Sequence, residues 1–334
     1  MKVAVIGATG LVGTVILQLL EERKFPLTDL YPVGSSRSVG KAIDFAGTTY
    51  NVMSVQDAID KKPDLAIFSA GGDTSLEYAP AFAEAGSIVI DNSSAWRSDA
   101  TKPLVVAGVN DDHIEQEHSI IANPNCSTMQ LMVPLAPVHR KYGIKRLVIS
   151  TYQPFTGTGK QAVDQYESEK KTDVYDKESA AYPHKIFANC IPHCGAFDTD
   201  GYTTEERKLE NETIKILRDD NIKVTATAVR VPVFGGHSES VNIEFDKPFD
   251  LSEVKTLLDE TPELILKDDP TTFDYPMPLD AYQTDEVYVG RLRRDTTIEN
   301  GLNLWVVADN LRKGAATNTI QIAENLIKSG RLSV

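Results

Sequence analysis

The sequence predicts an α/β protein in which a parallel sheet flanked by helices is followed by a second, mixed α+β region. A length of 334 residues is more than one modest hydrophobic core needs, so we expect two domains of ordinary size. Short apolar runs alternate with helical patterns in the first third of the chain, which is typical of a parallel sheet. After residue 126 the pattern changes, and strands with alternating polar and apolar residues predict a mixed second domain.

Composition excludes several classes of protein. A net charge of −14 argues against nucleic acid as a partner, because binding to a phosphate backbone needs a basic face. No run approaches the roughly 18 apolar residues of a membrane span, and the apolar opening is too short for a signal peptide. Three cysteines cannot build a disulfide framework in so long a chain. We therefore expect a cytoplasmic protein that binds neither nucleic acid nor membrane.

The N-terminal region begins with a predicted buried strand, "KVAVIGA", and a helix, "LVGTVILQLLEER", whose apolar residues have helical spacing. Five further runs predict strands that end in Gly, Ser or Asn: "DLYPVGS", "DLAIFSAGG", "SIVIDNSS", "LVVAGVN" and "SIIANPN". Helical patterns such as "EYAPAFAEAG" lie between several of them. Ligands of parallel sheets gather at the carboxyl ends of the strands, so these Gly, Ser and Asn residues are expected on the ligand side.

The second region mixes helices with strands. It contains predicted helices at "STMQLMVPLAPVHRKYG", around 162–171 and at 203–219, and predicted strands at "RLVISTYQ", "KVTATAVRVPV" and "ESVNIEF". A loop that contains Tyr and Pro runs from Tyr175 to Tyr202. The C-terminal "AATNTIQIAENLIKSG" predicts an amphipathic helix that returns to the first domain. The predicted domains are residues 1–127 with the C-terminal helix (about 312–334), and residues 128–311.

A glycine-rich turn joins the first strand to the first helix. Gly7, Gly10 and Gly13 follow the spacing G-x-x-G-x-x-G, which allows a tight turn, close approach of the backbone to a pyrophosphate and a helix N-terminus that attracts anions. The alternative is a glycine-rich turn that binds no ligand. In this strand–helix context the pattern favours a Rossmann-like dinucleotide-binding domain. Ser69 and Gly71, at the end of another predicted strand, are expected on the same ligand side.

The end of the second strand predicts which dinucleotide is bound. NAD sites usually place an Asp or Glu there for the ribose 2′-hydroxyl, but "GSSRSVGK" contains no carboxylate. Three serines and Arg37 can surround a 2′-phosphate, and arginine pairs with phosphate in a bidentate manner. A solvated basic loop is the alternative. The composition of this loop favours NADP.

Cys126 stands where an extended segment is predicted to turn into a helix. A free cysteine is ordinarily a small buried apolar residue, but a helix N-terminus and neighbouring cations lower a thiol's pKa from about 8.5 and make it a nucleophile. A thiolate that adds to an aldehyde gives an adduct that passes hydride to a nicotinamide and leaves a thioester, which then needs an acceptor. The chemistry also needs a base. His237, after the glycines of "RVPVFGGHSES", is a stronger candidate than His113, His118 or His139.

The segment "NCIPHCG" offers Cys190, His193 and Cys194, which suggests a metal site. Structural zinc needs four ligands, and the chain has no second pair of cysteines. We expect no metal and interpret the segment as a loop that packs against the cofactor.

Six motifs in order over nearly the whole chain are "GATGLVG", "SSRSVGK", "NPNCSTMQ", "TYQPFTGTG", "YTTEERK" and "VRVPVFGGHSESV". Together they resemble the aspartate-β-semialdehyde dehydrogenase family. The resemblance implies NADP-dependent, reversible conversion of L-aspartate 4-semialdehyde and inorganic phosphate into L-4-aspartyl phosphate through a cysteine thioester. This reaction belongs to the biosynthesis of diaminopimelate, lysine, threonine and methionine. The second domain would be the catalytic and dimerisation domain of a homodimer or homotetramer.

The resemblance also implies roles for particular residues. Cys126 is the expected nucleophile, His237 the acid and base, and Gln153 the residue that orients the substrate. Arg230 is expected to bind the substrate α-carboxylate, and Glu205 its ammonium group. The other expected substrate and phosphate contacts are Lys208, Arg97 and Asn125. The expected cofactor contacts are Gly7, Thr9, Gly10, Leu11, Val12, Gly13, Ser35, Ser36, Arg37, Ser38, Ser69, Gly71, Thr156, Gly157, Pro192 and Asn310.

These roles agree with the chemistry of the residue types. Arginine is a planar, bidentate partner for a carboxylate, which suits Arg230. Glu205 and Lys208 are three residues apart on a predicted helix and share a face, although a plain surface ion pair is the alternative. Thr203 and Glu206 match a capping box, which leaves Glu205 the freer of the two glutamates.

Three alternatives share parts of this pattern. N-acetyl-γ-glutamyl-phosphate reductase runs the same chemistry on an acylated substrate without a free ammonium group, so Glu205 and Lys208 favour the aspartate substrate. Glyceraldehyde-3-phosphate dehydrogenase fits the context "NPNCST" poorly. A non-catalytic, NADP-binding redox sensor predicts a disrupted Cys126, His237 or Arg230, and all three residues are present.

Overall fold

The computed structural model describes residues 1–333, which form two compact units. One unit comprises residues 1–125 and the C-terminal segment from Gly314, and the other is Cys126–Lys313. Within residues 1–333, no helix combines the length and the apolar character that crossing a membrane requires.

The first unit is built on a five-stranded parallel sheet. The strands of the whole unit, within and outside this sheet, are β1 (Lys2–Ile6), β2 (Asp29–Val33), β3 (Ala42–Phe45), β4 (Thr48–Asn51), β5 (Leu65–Phe68), β6 (Ile88–Asp91) and β7 (Ile120–Ala122). Its first three helices are α1 (Leu11–Glu22), α2 (Val55–Asp60) and α3 (Gly72–Glu84). The sheet order is β2-β1-β5-β6-β7, while β3 and β4 form a separate hairpin. The parallel register brings the carboxyl ends of β1, β2 and β5 to one edge, as the sequence predicted.

The prediction of a strand at "LVVAGVN" is wrong. Leu104 makes only an isolated bridge to Ala122, and the chain turns between Val106 and Asn110. Residues 104–107 of the segment are buried, as their apolar character suggests. Two of its backbone N–H groups donate to asparagine side chains: Asn110 Oδ1 accepts from Val106 N at 2.8 Å, and Asn318 Oδ1 accepts from Ala107 N at 2.9 Å. An apolar run can therefore be buried without joining the sheet.

The second unit is built on a six-stranded mixed sheet. Its strands are β8 (Ile144–Pro154), β9 (Lys223–Val231), β10 (Gly236–Phe245), β11 (Leu264–Leu266), β12 (Val287–Asp295) and β13 (Gly301–Asp309). Its helices are α4 (Cys126–Tyr142), α5 (Lys160–Thr172), α6 (Thr204–Leu217), α7 (Leu251–Asp259) and α8 (Pro278–Ala281). The sheet order is β11-β12-β13-β10-β8-β9, with β8–β9 and β11–β12 parallel and the other pairs antiparallel.

The register of this sheet brings distant parts of the sequence together. Gln153 on β8 lies opposite Arg230 on β9, and Ser238 on β10 lies opposite Tyr152 on β8. Because side chains alternate along a strand, Gln153, Arg230 and His237 share one face of the sheet. Helix α4 packs against β10, and α6 packs against β9.

Helix α6 begins with the predicted capping box. Thr203 Oγ1 accepts from Glu206 N at 3.3 Å, and Glu206 Oε2 accepts from Thr203 N at 2.6 Å. The other oxygen of Glu206 accepts from Ala228 N of β9 at 2.9 Å. Glu206 therefore holds the helix start against the sheet, and Glu205 faces elsewhere.

The C-terminal helix α9 (Asn318–Lys328) belongs to the first unit. A π-helical turn at Arg312–Thr317 precedes it. Ile320, Ala323 and Leu326 are buried in the same core as Ile16 and Leu19 of α1, as the amphipathic pattern predicted.

We expect Gly13→Ala to destabilise the first unit, because a Cβ at this position would lie 2.1 Å from Gly7 O. Relieving such a clash costs about 1–3 kcal/mol of unfolding free energy. Urea unfolding measures the loss. Gly72→Ala, at the first residue of α3, is the matched control, since a Cβ there has no atom within 4 Å. Equal stability of both variants would contradict the close packing at Gly13.

Candidate active site

Cys126 is the first residue of α4, so its thiol lies at a helix N-terminus. Its Sγ lies 2.9 Å from His237 Nε2. Cys126 is partly exposed, whereas the next ten residues of α4, 127–136, are buried. The thiol is therefore open to a substrate and in contact with a base, which is the arrangement of a nucleophile and its proton acceptor.

His237 is the second residue of β10 and is 1% exposed. Within residues 1–333, its Nδ1 has no hydrogen-bond partner. Burial, with a smaller contribution from the positive charge of Arg230, lowers the pKa of His237 to about 3, although Glu205 opposes both effects. The ring is therefore neutral near pH 7 and can accept a proton.

Arg230, Gln153 and Glu205 form a buried cluster beside this pair. Arg230 Nη1 donates to Pro154 O at 2.9 Å, and its Nε has no partner within the described part of the chain. Gln153 Nε2 donates to Glu205 Oε1 at 3.2 Å and lies 2.9 Å from Ser127 Oγ. A buried guanidinium with an unsatisfied N–H suits a carboxylate ligand.

Lys208 lies one helical turn beyond Glu205 on α6, and its Nζ is 3.0 Å from Glu205 Oε2. The Lys208 side chain is 32% exposed, compared with 11% for that of Glu205. The shared face predicted from the sequence is confirmed. Glu205 therefore binds two other residues that are expected to contact the substrate. Its Oε1 accepts a hydrogen bond from Gln153, and its Oε2 accepts one from Lys208.

The loop after β8 packs against the same cluster. A Cβ placed on Gly157 would lie 3.3 Å from Arg230 Nη1, 3.7 Å from Asn310 Nδ2 and 3.8 Å from His237 Cε1. The structure therefore brings Gly157 and Asn310, both expected cofactor contacts, beside the catalytic candidates. Thr156 is half-buried in the preceding turn.

Pro192 is exposed and follows Ile191, whose backbone N donates to Arg230 O at 2.9 Å. Its neighbours Cys190 and His193 do not gather with other ligands. Within residues 1–333, no three His, Cys, Asp or Glu side chains are grouped as a metal site would need. His193 instead stacks on Phe197, with the ring centres 4.4 Å apart.

Arg97 and Asn125 belong to the first unit. Arg97 Nε donates to Asn123 O at 2.9 Å, and its Nη2 donates to Asn92 O at 2.8 Å. These bonds hold the guanidinium at the carboxyl ends of β6 and β7. Asn125 is buried directly before Cys126 in the chain.

The glycine-rich turn of the first unit has the geometry that a pyrophosphate needs. Gly7 has φ +87°, and a Cβ there would lie 2.3 Å from Ser69 O. Among residues 1–333 no side chain caps the N-terminus of the helix α1 that follows, so its first backbone N–H groups can bind an anion. A cavity of ≈ 790 Å³ adjoins the turn, and its lining includes Thr9, Gly10 and Ser69. The residues of this unit therefore fit a dinucleotide.

The loop after β2 borders the same cavity. Ser35 and Ser36 line it with exposed side chains, Arg37 is exposed in the turn that follows, and Ser38 is 8% exposed. Thr9 Oγ1 lies 3.5 Å from Ser38 Oγ. Of the other expected cofactor residues, Leu11 and Val12 begin α1, and Gly71 caps α3.

Sequence reasoning missed three residues around this site. Tyr182 lies in the predicted loop, and its hydroxyl is 3.1 Å from Phe155 O and 2.6 Å from Thr158 Oγ1. Gln130 and Glu239 are fully buried beside the reacting pair. The spacing contained a signal for both, because Gln130 is four residues after Cys126 on a helix and Glu239 is two residues after His237 on a strand.

Two family models match the chain. "Semialdehyde dehydrogenase, NAD binding domain" matches residues 2–117, and "Semialdehyde dehydrogenase, dimerisation domain" matches residues 135–313. The aspartate-semialdehyde dehydrogenase of Aquifex aeolicus is 49% identical over 98% of both chains.

Solved structures agree with this likeness. Aspartate semialdehyde dehydrogenase II from Vibrio cholerae, complexed with ASA, has a TM-score of 0.93 and 44% identity over 98% of both chains. The aspartate semialdehyde dehydrogenase of Candida albicans, solved with NADP, has a TM-score of 0.79 and 26% identity over 99% of both chains.

The lowered pKa of His237 predicts how stability depends on pH. Below its ordinary pKa of about 6.5, the unfolded chain protonates this histidine while the folded protein does not, so acid removes stability until the folded pKa is reached. We expect acidification below pH 6.5 to destabilise His237→Asn less than the wild type. The difference between the two free energies of unfolding is expected to change by at most about 1.4 kcal/mol per pH unit. Urea unfolding at several pH values measures this.

His184→Asn, at an exposed histidine, is the control and is expected to follow the wild type. Parallel curves for all three proteins would mean that His237 titrates normally in the folded state.

Proposed function

Because this chain belongs to the aspartate-semialdehyde dehydrogenase family, we propose that it converts L-aspartate 4-semialdehyde and phosphate reversibly into L-4-aspartyl phosphate with NADP. This step serves the biosynthesis of lysine, threonine and methionine. The name of the relatives and the ASA complex of the Vibrio cholerae protein support the substrate. Within the chain, the proposal depends on one observation, the 2.9 Å contact between Cys126 Sγ and His237 Nε2.

Cys126 and His237 perform the covalent steps. His237 Nε2 takes the thiol proton as Sγ bonds to the aldehyde carbon, and the carbonyl oxygen then receives that proton to give a thiohemiacetal. NADP, when bound, supplies the acceptor for the hydride that this carbon releases. His237 takes the hydroxyl proton at the same stage, which leaves a thioester on Cys126. A phosphate oxygen then attacks the acyl carbon, the C–S bond breaks and the sulfur leaves as thiolate.

Arg230 binds the α-carboxylate of the substrate through its unsatisfied N–H. The same pairing raises the pKa of His237. The charge of Arg230 contributes to the low pKa of His237, so a carboxylate on Arg230 weakens this effect and makes the imidazole a better proton acceptor. Substrate binding therefore prepares the base for the first proton transfer.

Glu205 binds the substrate ammonium group, and Gln153 orients the reacting carbon. Their mutual hydrogen bond of 3.2 Å sets the distance between the two contacts. Both side chains are buried, so they lose little further conformational entropy when the substrate binds. Asn125, next to the nucleophile in the chain, completes the expected substrate contacts.

Lys208 and Arg97 are the proposed phosphate contacts. The ion pair between Lys208 and Glu205 keeps Lys208 at the substrate cluster while leaving its amine partly exposed. In Arg97 two N–H groups hold backbone carbonyls, which orients the guanidinium. In a protein with a net charge of −14, such local cations are what an anionic co-substrate requires.

We assign cofactor binding to the first unit, and catalysis and self-association to the second. The NADP complex of the Candida albicans relative supports the cofactor. In this chain, Arg37 and the serines around it provide the groups for a 2′-phosphate. The matched dimerisation model supports assembly into a homodimer or homotetramer through the second unit. The need for a free thiol at Cys126 supports a reducing, cytoplasmic location.

We expect Cys126→Ala to abolish NADP reduction with aspartate semialdehyde and phosphate, by at least about 10³-fold in kcat, because no acyl carrier remains. Steady-state absorbance at 340 nm measures the rate. The matched control, Cys190→Ala, alters an exposed thiol and is expected to keep wild-type activity.

The covalent intermediate provides a second test of the same assignment. In wild type trapped without phosphate, mass spectrometry is expected to find the aspartyl group on Cys126. An adduct on another side chain, or residual turnover in Cys126→Ala, would refute the mechanism.

We expect Arg230→Leu to raise KM for aspartate semialdehyde about 100-fold, since the substrate loses a charged hydrogen bond, while KM for phosphate changes little. Arg218→Leu, at an exposed position after α6, is the control. Initial rates with each substrate varied in turn separate the two constants. An unchanged KM for the aldehyde would remove Arg230 from the carboxylate.

A further inference from the structure

Glu239 is a buried carboxyl group that the reaction above does not use. It is 0% exposed, and neither carboxyl oxygen has a hydrogen-bond partner within residues 1–333. An ionised carboxylate in this position would be very costly. Burial raises the pKa of Glu239 well above its ordinary value, Gln130 opposes the shift, and the like charge of Glu205 adds to it. Glu239 therefore keeps its proton to a higher pH than an exposed glutamic acid does.

Glu239 and Gln130 form a second pair directly behind the reacting pair. On strand β10, Glu239 follows His237 by two residues and shares its face. On helix α4, Gln130 follows Cys126 by four residues and shares its face. The same two elements therefore oppose Cys126 to His237 and Gln130 to Glu239.

Gln130 connects Glu239 to the catalytic histidine. Its Nε2 donates to the backbone oxygen of His237 at 3.3 Å, while its Oε1 is buried and has no partner in the described part of the chain. An ionised Glu239 offers only acceptors, but a protonated one has an O–H that can donate to Gln130 Oε1. A proton on Glu239 thus satisfies two groups that otherwise have no partners among residues 1–333.

The imidazole ring depends on such support. His237 Nδ1 has no hydrogen-bond partner within residues 1–333, so no side chain orients the ring through that nitrogen. The bond from Gln130 to His237 O instead adds to the pairing with β13 that holds the main chain from which the ring projects. If Glu239 were ionised, it would attract the NH₂ group of Gln130, and the amide would turn away from His237 O.

We propose that Glu239 is a positioning residue that acts in its protonated form, holding the Gln130 amide so that Gln130 keeps His237 opposite Cys126. The inference rests on the proposed function only in taking Cys126 and His237 as the reacting pair. Glu239 itself touches neither the substrate nor the reacting atoms.

Two substitutions test whether the role of Glu239 depends on its hydrogen-bond donor or on a negative charge. Glu239→Gln keeps a donor for Gln130, and we expect its kcat to stay within about 3-fold of wild type. Glu239→Met keeps the volume but removes the donor, and we expect a loss of about 10- to 100-fold in kcat from misplacement of the base. KM for both substrates is expected to stay within about 2-fold, because Arg230 and Lys208 are untouched.

A readout independent of turnover keeps this test separate from the proposed reaction. Alkylation of Cys126 by iodoacetamide at pH 7 needs the nearby base, so Glu239→Met is expected to slow it and Glu239→Gln is not. Glu244→Leu, at the surface end of the same strand, is the control and is expected to react as wild type does. If wild type fails to oxidise aspartate semialdehyde, the proposed function fails, and the alkylation rates still decide the positioning role.

Gln130→Met removes the same link from the other side and serves if Glu239→Met does not fold. It is expected to lower kcat and the rate of alkylation as much as Glu239→Met does. The double variant with both substitutions is expected to show no further loss. Wild-type rates in either single variant would overturn the proposal. So would a loss in Glu239→Gln as large as in Glu239→Met, because the charge would then be what matters.

The dependence of stability on pH tests whether Glu239 is protonated in the folded protein. Above about pH 4.5 the unfolded chain ionises Glu239 while the folded protein keeps the proton, so wild type loses stability relative to Glu239→Gln as the pH rises. We expect the Tm of Glu239→Gln minus that of wild type to increase steadily from pH 5 to pH 8. A constant difference over this range would mean that Glu239 is ionised throughout, and would overturn the proposal.

Discussion

The catalytic arrangement in the second unit depends on the contact between Cys126 and His237. It requires α4 to begin at Cys126 and β10 to keep its register with β8 and β13. A slip of one residue in β10 would turn His237 to the opposite face of the sheet and remove the base. The extended pairing of β10 on both sides is therefore also what makes the catalytic geometry possible.

Charge around this contact is balanced locally although the whole chain is acidic. Arg230 and burial keep His237 neutral, and Glu205 acts against them. Buried polar groups without partners are expensive, and among residues 1–333 this site contains several, including Arg230 Nε and His237 Nδ1. A substrate with a carboxylate and an ammonium group would satisfy part of this deficit. The site therefore gives up stability in the free protein for interactions that form when the ligand binds.

Much of the fold could be predicted because its signals are local. The alternation of strand and helix predicted the parallel sheet, and Thr203 with Glu206 predicted where α6 begins. The segment "LVVAGVN" was predicted wrongly, because its apolar residues indicate burial but not what satisfies the backbone, and Asn318 comes from the far end of the chain. The strands β12 and β13 were not assigned, and β12 is interrupted by a register shift between Gly290 and Arg293.

The sequence by itself determined the features that depend on neighbours a few residues apart: the glycine-rich turn at Gly7, the shared face of Glu205 and Lys208, and a cysteine at the start of a helix. It also singled out His237 through the motif around it. Only the tertiary structure decided that His237 Nε2 lies against Cys126 Sγ, that Gln153 lies opposite Arg230, and that Glu239 is buried behind them. The physical reason is that strand register joins positions far apart in sequence, 111 residues for Cys126 and His237, and burial sets which of the groups brought together keep their protons.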